Sequence, residues 1–119
     1  MLDYLNLIRV PQVSESIYRD VGEITSTLKM LAGQLGIAVV AGAQANRQGY
    51  GGTVRAEHVG ESLKIIQDAD VVITIERDQG ADGDLLPTGH LRVRKQRNGP
   101  QGKARYEFDP GCLRFEAVT

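Results

Sequence analysis

Cysteine, histidine and long apolar runs are all scarce in this sequence, and each scarcity excludes a class of protein. One of the 119 residues is a cysteine, Cys112, so no internal disulfide can form. The two histidines, His58 and His90, are isolated, and no Cys/His spacing typical of a zinc site occurs. No apolar run approaches the roughly 18 residues that span a bilayer, and the N-terminus lacks a small-residue cleavage site. The sequence therefore predicts a soluble, cytoplasmic protein.

Net charge is also nearly absent. The chain has 14 Lys and Arg residues against 15 Asp and Glu residues, a formal net charge of -1. A balanced total exerts no overall attraction on nucleic acid, so anion binding must come from local clusters. The segment 91–105 is such a cluster, because it contains six Lys or Arg residues and no Asp or Glu. With 41% hydrophobic and 24% charged residues, the composition predicts one globular domain spanning 1–119.

The first half of the chain predicts an α/β arrangement with parallel strands. Apolar residues recur every three or four positions along one helix face that ends before Gly36: Ile17, Val21, Ile24, Leu28, Leu31 and Leu35. The run IAVVAGAQ that follows, and the later run ADVVITIE, are continuously apolar. Such runs are typical of strands buried on both faces of a parallel sheet. A second helix is expected at about 57–66, between the two strands.

The second half predicts an antiparallel meander added to the same sheet. The segments HLRVRKQR, ARYEF and LRFEAV alternate or nearly alternate in polarity, and the turn sequences NGPQG and DPG join them. The acidic, glycine-rich segment 78–90 comes before them and is expected to be a mobile connection.

Three features are candidates for phosphate and magnesium chemistry, and each also has an ordinary structural interpretation. If the strand alternation continues beyond Val93, Lys95 and Arg97 lie on one side about 7 Å apart, which suits a phosphate. The alternative is an edge strand protected by its charges. Gln44 stands at the carboxyl end of a predicted strand, which is where open α/β sheets bind ligands. The alternative is that its side chain caps a loop. Asp3, in the apolar segment LDYLNLI, is a candidate for the shell of ligands and waters around a Mg²⁺ ion. The alternative is that its side chain simply faces water.

The order of the pieces carries more information than any one of them. The chain runs through LDYLNLI, EITSTLKMLAGQLGIAVVAGAQANR, ESLKIIQDADVVITIERD and LRVRKQRNGPQGKARYEFDPGCLRF. This succession, with QDADVV and KQRNGP as its most specific parts, resembles the C-terminal part of the RecA-like motor domain of DnaB-type replicative helicases. The resemblance covers nearly the whole chain. It implies a partial RecA-like (P-loop NTPase) sheet, ATP and Mg²⁺ as ligands, single-stranded DNA as substrate, a homo-hexameric ring, and a primase or helicase loader as partner.

The resemblance also implies roles for single residues. Asp3 matches the Walker B acid that orients Mg²⁺ and its waters, and Gln44 matches the residue that reports the γ-phosphate to the DNA-binding loops. Lys95 and Arg97 match the basic pair that reaches the neighbouring subunit's nucleotide. Arg97 would be the arginine finger, a group worth about three to five orders of magnitude in rate, and its planar, permanently charged fork suits that role.

The resemblance implies DNA contacts for four residues: Arg47, Glu61, Ser62 and Lys64. The last three match a pore-facing loop before QDADVV. Gly60 stands where the family commonly has a basic residue, and Leu63 stands where it often has glycine. Either Lys64 replaces the lost phosphate contact, or the loop binds DNA poorly; the ordinary alternative is a charged surface helix.

One motif of the family is missing. No G-x-x-x-x-G-K-[ST] occurs in the 119 residues, and the pair Gly102–Lys103 is followed by Ala104. Without that loop there is no phosphate cradle, so we expect a piece of a helicase, from a truncated or split gene or a cloned fragment, that is inactive alone. The alternatives are a non-catalytic RecA-like module that binds nucleic acid or regulates a helicase, and a relative such as a recombinase or clock-type ATPase.

Overall fold

The computed structural model describes residues 1–8, 17–44 and 63–118. After a short 3-10 turn, Leu5–Leu7, the elements in chain order are the helices and strands α1 (Ile17–Leu35), α2 (Leu63–Asp68), β1 (Val71–Gln79), β2 (Leu85–Gln96), β3 (Lys103–Asp109) and β4 (Arg114–Val118). These residues divide into two compact units, one formed by 1–8, 17–44 and 63–69 and the other by 70–118. Neither of these two helices is long and apolar enough to cross a membrane.

Helix α1 confirms the predicted amphipathic helix and its end. Val21 and Ile24, on the predicted apolar face, are buried. Gly36 follows the last helical residue with a φ of +62°, and the next N–H, of Ile37, donates to the Ala32 carbonyl oxygen at 3.1 Å. A left-handed φ strains residues that carry a Cβ, so glycine is the residue that ends the helix here.

Helix α2 is joined to α1 by one carboxylate. Asp68 accepts hydrogen bonds from Thr25 Oγ1 at 2.8 Å, Ser26 Oγ at 3.0 Å and Lys64 Nζ at 3.0 Å. Burial would raise the pKa of Asp68, but these three bonds outweigh burial and lower the pKa. A helix of six residues is too short to be stable alone, so these contacts hold it. The predicted helix at 57–66 is confirmed for 63–66, and residues 57–62 lie outside the described part.

The predicted buried strand IAVVAGAQ is not confirmed. One parallel bridge joins Leu2 to Ala41, where the Leu2 N–H donates to the Val40 oxygen at 2.7 Å and the Gly42 N–H donates to the Leu2 oxygen at 2.8 Å. Three of the run's large apolar residues are exposed: Ile37, Val39 and Val40. A strand is buried on both faces only when layers cover it on both sides, and the described residues do not cover this segment.

The second unit is an antiparallel sheet with the strand order β1-β2-β3-β4, which confirms the predicted meander. The prediction that ADVVITIE is a parallel strand is not confirmed, because in the described residues β1 pairs antiparallel with β2. Burial also alternates along β1. Thr74 and Glu76 are each 6% exposed, whereas Ile73 and Ile75 are 57% and 63% exposed. The apolar run therefore has one buried face, and polar residues occupy it.

The prediction that 78–90 is a mobile connection is wrong. Strands β1 and β2 include all of it except 80–84, where Gly83 adopts a φ of +85° in the turn. Thr88 Oγ1 donates to Asp78 Oδ2 at 2.7 Å and so joins the two strands beyond the turn. Gly80 and Gly83 lie in the hairpin turn, and the polar residues Asp78 and Thr88 pair across the two strands.

Tyr106 on β3 joins strands β1, β2 and β3 on the more apolar face of the sheet. This face is opposite the one on which Thr74 and Glu76 are buried. The side chain of Tyr106 is buried, its ring lies 5.0 Å from that of Phe115 between centroids, and its hydroxyl donates to the backbone oxygen of Glu76 on β1 at 3.1 Å. Tyr106 pairs with Gly89 on the intervening strand β2. A Cβ at Gly89 would collide with the tyrosine ring and with the Glu76 oxygen, so the side chain crosses β2 only over a glycine.

We expect Gly89→Ala to lower the free energy of unfolding by about 1–3 kcal/mol, because the added methyl group displaces Tyr106 and breaks its bond to β1. Urea unfolding followed by circular dichroism measures the change. Gly102→Ala is the matched control, because a Cβ there meets no atom within 4 Å. Equal stability of the Gly89→Ala variant and the parent would contradict this account of the sheet.

Candidate nucleotide and nucleic-acid site

Asp3 lies at the end of the parallel contact in the first unit. It follows the bridging residue Leu2, and its side chain is exposed. A Cβ placed on Gly42 would lie 3.5 Å from Asp3 Oδ1, so the carboxylate lies beside the segment that carries Gln44 two residues later. The Leu5 N–H donates to the Gly42 oxygen at 2.9 Å and holds the two segments together. Asp3 and Gln44 thus follow neighbouring segments, and Gln44 is exposed.

These residues do not by themselves fit ATP or a bound Mg²⁺ ion. Magnesium is usually held by one or two carboxylates together with substrate phosphates and waters. In the part of the chain that the structure describes, no group of three or more His, Cys, Asp or Glu residues could hold a metal. Asp3 supplies one oxygen ligand, and the phosphate-binding loop is missing from the sequence. A nucleotide site would need residues beyond those described.

The strand end that carries the predicted cations contains a bulge. Val72 pairs with Lys95, whereas Ile73 pairs with Val93, so Arg94 is an extra residue of β2 opposite β1. A bulge interrupts the alternation of side chains and redirects them. The regular alternation assumed from the sequence therefore stops before Lys95.

Arg97 lies in the turn beyond β2 and is held by Asp70. The Arg97 N–H donates to the Asp70 oxygen at 3.0 Å, and Arg97 Nη1 lies 3.2 Å from Asp70 Oδ1. The two side chains are 54% and 58% exposed. An ion pair this exposed contributes about 0–1 kcal/mol, so its effect is mainly on the direction of the guanidinium, which remains accessible.

Of the four residues expected to contact DNA, one lies among the described residues. Lys64 is exposed on α2, and its Nζ lies 3.0 Å from Asp68 Oδ1 in an i,i+4 ion pair. Arg47, Glu61 and Ser62 lie outside the described residues, so the DNA contacts of all four residues stay predictions.

Sequence reasoning missed a buried charge cluster on the polar face of the sheet. Glu76 Oε1 accepts hydrogen bonds from Thr74 Oγ1 at 2.8 Å and from Arg94 Nη2, and Oε2 accepts one from Arg92 Nε at 2.9 Å. We call these four residues the Glu76 cluster. The signal that could have revealed it is the pairing of T-x-E on one strand with R-x-R on the next, because alternate residues share a face.

The hydrogen bonds of the cluster keep Glu76 charged. Burial alone would raise the pKa of Glu76, but the bond from Thr74, the bond and positive charge of Arg94, and the bond from Arg92 together hold the pKa below its usual value.

A second carboxylate on the same face, that of Asp78, also has a polar partner. The Thr88 hydroxyl bond lowers the pKa of Asp78, and Asp78 Oδ1 lies 3.4 Å from His90 Nδ1.

Comparison with known proteins identifies the family. The family model of the DnaB-like helicase C terminal domain matches residues 1–117. The chain belongs to this family. The replicative DNA helicase DnaB of Buchnera aphidicola subsp. Acyrthosiphon pisum (strain APS) is 38% identical over 121 residues, which cover 98% of this chain and 26% of the relative. That of Haemophilus influenzae is 37% identical over 125 residues, with coverages of 100% and 26%. The chain thus spans about a quarter of the length of these curated relatives.

Solved structures are similar as well. One of them, described as an ATPase domain, aligns with a TM-score of 0.86 and 25% identity, over 98% of this chain and 43% of that chain. A DnaB-like replicative helicase, described with its interactions with primase, aligns with a TM-score of 0.79 and 26% identity, over 91% of this chain and 28% of that chain. The predicted resemblance to DnaB-type helicases is confirmed, and so is the RecA-like ATPase fold, although its parallel strands are not confirmed in the described residues.

The lowered pKa of Glu76 predicts acid sensitivity of the sheet. Because the folded-state pKa lies below the ordinary value of 4.5, this stabilisation is fully present above about pH 4.5 and is lost as the pH falls through the lowered pKa. We expect Glu76→Gln to cost about 1.5–3 kcal/mol at neutral pH. The difference from the parent should shrink as the pH falls below about 4.5 and through the lowered pKa of Glu76.

Urea unfolding at several pH values measures this difference. Glu107→Gln is the matched control, because Glu107 is an exposed glutamate of the same sheet. A Glu76→Gln variant whose deficit stays constant with pH would show that the carboxylate charge does not stabilise the cluster.

Proposed function

We propose that this chain is the part of a replicative DNA helicase motor that senses nucleotide and acts across the subunit interface. The observation that carries the proposal is the accessible Arg97 guanidinium at the turn after β2, oriented by Asp70, in a chain that belongs to the DnaB-like helicase family. When a phosphate-loop segment completes it, the protein would hydrolyse ATP in a hexameric ring and move along single-stranded DNA.

Each predicted residue has a separate part in this proposal. Asp3 would orient Mg²⁺ and its waters, and Gln44 would report the state of the nucleotide from the neighbouring segment. Lys95 and Arg97 would contact the nucleotide held by the next subunit. The planar guanidinium of Arg97 stays charged and can donate two parallel hydrogen bonds to phosphate oxygens, which makes it the stronger candidate for the finger.

The proposed partners are those implied by membership of the DnaB-like helicase family. Single-stranded DNA would contact the four residues that the family resemblance assigns to it: Arg47, Glu61, Ser62 and Lys64. A primase or a helicase loader would be a protein partner, and a related DnaB-like helicase has been described with primase. The proposal places the protein in the cytoplasm, where replication takes place in bacteria.

We expect the chain alone neither to hydrolyse ATP nor to bind it tightly, because it has no phosphate cradle. Phosphate release at micromolar protein, with and without single-stranded DNA, measures the activity. Turnover typical of an ordinary ATPase, retained through repurification, would contradict the proposal that the chain is only one part of the motor.

The trans role of Arg97 can be tested by joining residues 1–119 to a matching phosphate-loop segment. We expect Arg97→Ala in that reconstructed motor to leave nucleotide binding intact and to lower hydrolysis by roughly three or more orders of magnitude. Arg105→Ala is the matched control, because Arg105 is an arginine of the adjacent strand β3. Partial rescue by subunits that lack a working phosphate loop but keep Arg97 would locate the action across the interface. A loss of only a few-fold would exclude Arg97 as the finger.

A further inference from the structure

The proposed motor function leaves part of the basic segment 91–105 without a role. It uses two of the six cations, and the other four are Arg92, Arg94, Lys103 and Arg105. Three of these line a shallow depression of about 260 Å³ where the end of β2 meets the beginning of β3: Arg92, Arg94 and Lys103. Val93, Gln101 and Gly102 complete the lining, and we call this feature the arginine depression.

The arginine depression has an excess of positive charge. Arg92 and Arg94 both bind Glu76, and one carboxylate cannot neutralise two guanidiniums. Lys103 pairs with Arg92 in the register of β2 and β3, so a third cation lies beside Arg92 on the neighbouring strand. The side chains of Arg92 and Arg94 are only 29% and 22% exposed. Because water screens partly buried charges poorly, this excess favours an anion.

The donors around the depression are fixed before any ligand arrives. Glu76 engages Nε of Arg92 and Nη2 of Arg94, and a guanidinium has five N–H groups, so further groups can donate outward. Gln101 Nε2 donates to the Arg94 carbonyl oxygen at 3.0 Å and holds the turn against β2. Side chains that are already ordered lose little entropy when they bind, which increases affinity.

We propose that the arginine depression binds a phosphate group, carried either by a nucleotide or by the backbone of single-stranded nucleic acid. Phosphate suits it because planar guanidiniums bind phosphate oxygens in pairs and an ammonium group adds a compact charge. Neither Lys95 nor Arg97 lines the depression, so the proposal is independent of the arginine finger.

The test is a titration of the ¹⁵N-labelled chain with pyrophosphate, ATP and a thymidine oligonucleotide, followed by NMR. We expect shifts concentrated at Gly102, Lys103 and the Nε signals of Arg92 and Arg94. Lys103→Gln should weaken binding about tenfold through loss of one charge-assisted contact. Lys103 is exposed, so this variant should keep the parent's circular dichroism spectrum.

Arg105→Gln is the matched control. The substitution removes one positive charge from the same strand, and Arg105 does not line the depression. Its affinity should fall clearly less than that of Lys103→Gln, because Arg105 does not line the depression and contributes only a longer-range charge. Binding of pyrophosphate and ATP without the oligonucleotide would assign the site to a nucleotide. Binding of the oligonucleotide would assign it to a nucleic-acid backbone. The proposal is overturned if no probe binds or if both variants weaken binding equally.

Discussion

Burial of the Glu76 carboxylate is the constraint on which the sheet of the second unit depends. A carboxylate that is 6% exposed is tolerated only when hydrogen bonds and opposite charges replace its water. Thr74, Arg92 and Arg94 provide them, and all of them lie on β1 and β2. The polar face of these two strands is therefore organised around one anion, while Tyr106 secures the other face by binding the backbone of the same residue.

The Glu76 cluster also influences the conformation of the end of β2, which leads to the proposed catalytic residues Lys95 and Arg97. Arg94 is the extra residue of the bulge, and it donates to Glu76 from that position. A shift of one residue in register exchanges the two faces of a strand, so the position of Arg94 also decides where Lys95 lies. Arg97 follows in the turn, where Asp70 binds both its N–H and its guanidinium. The buried charge and the proposed arginine finger are thus structurally linked.

Much of the local structure could be predicted because it depends on neighbouring residues. The apolar spacing and Gly36 predicted α1 and its end, since helix periodicity and a left-handed φ are local properties. Polar–apolar alternation with turn sequences predicted the strands after residue 90. The prediction of a mobile connection was wrong because the bond between Thr88 and Asp78 joins residues that only the hairpin brings together.

The linear order of the residues was enough to indicate the family and the candidates Asp3, Gln44, Lys95 and Arg97, because order along the chain can be read without knowing any contact between segments. Three features became known only from the folded chain: the partner of β1, the position of the bulge and the face of β1 that is buried. These depend on contacts between strands, and an apolar run does not specify its neighbour. The Glu76 cluster belongs to the same class: its acid and its arginines lie on different strands, and only pairing brings their charges into contact.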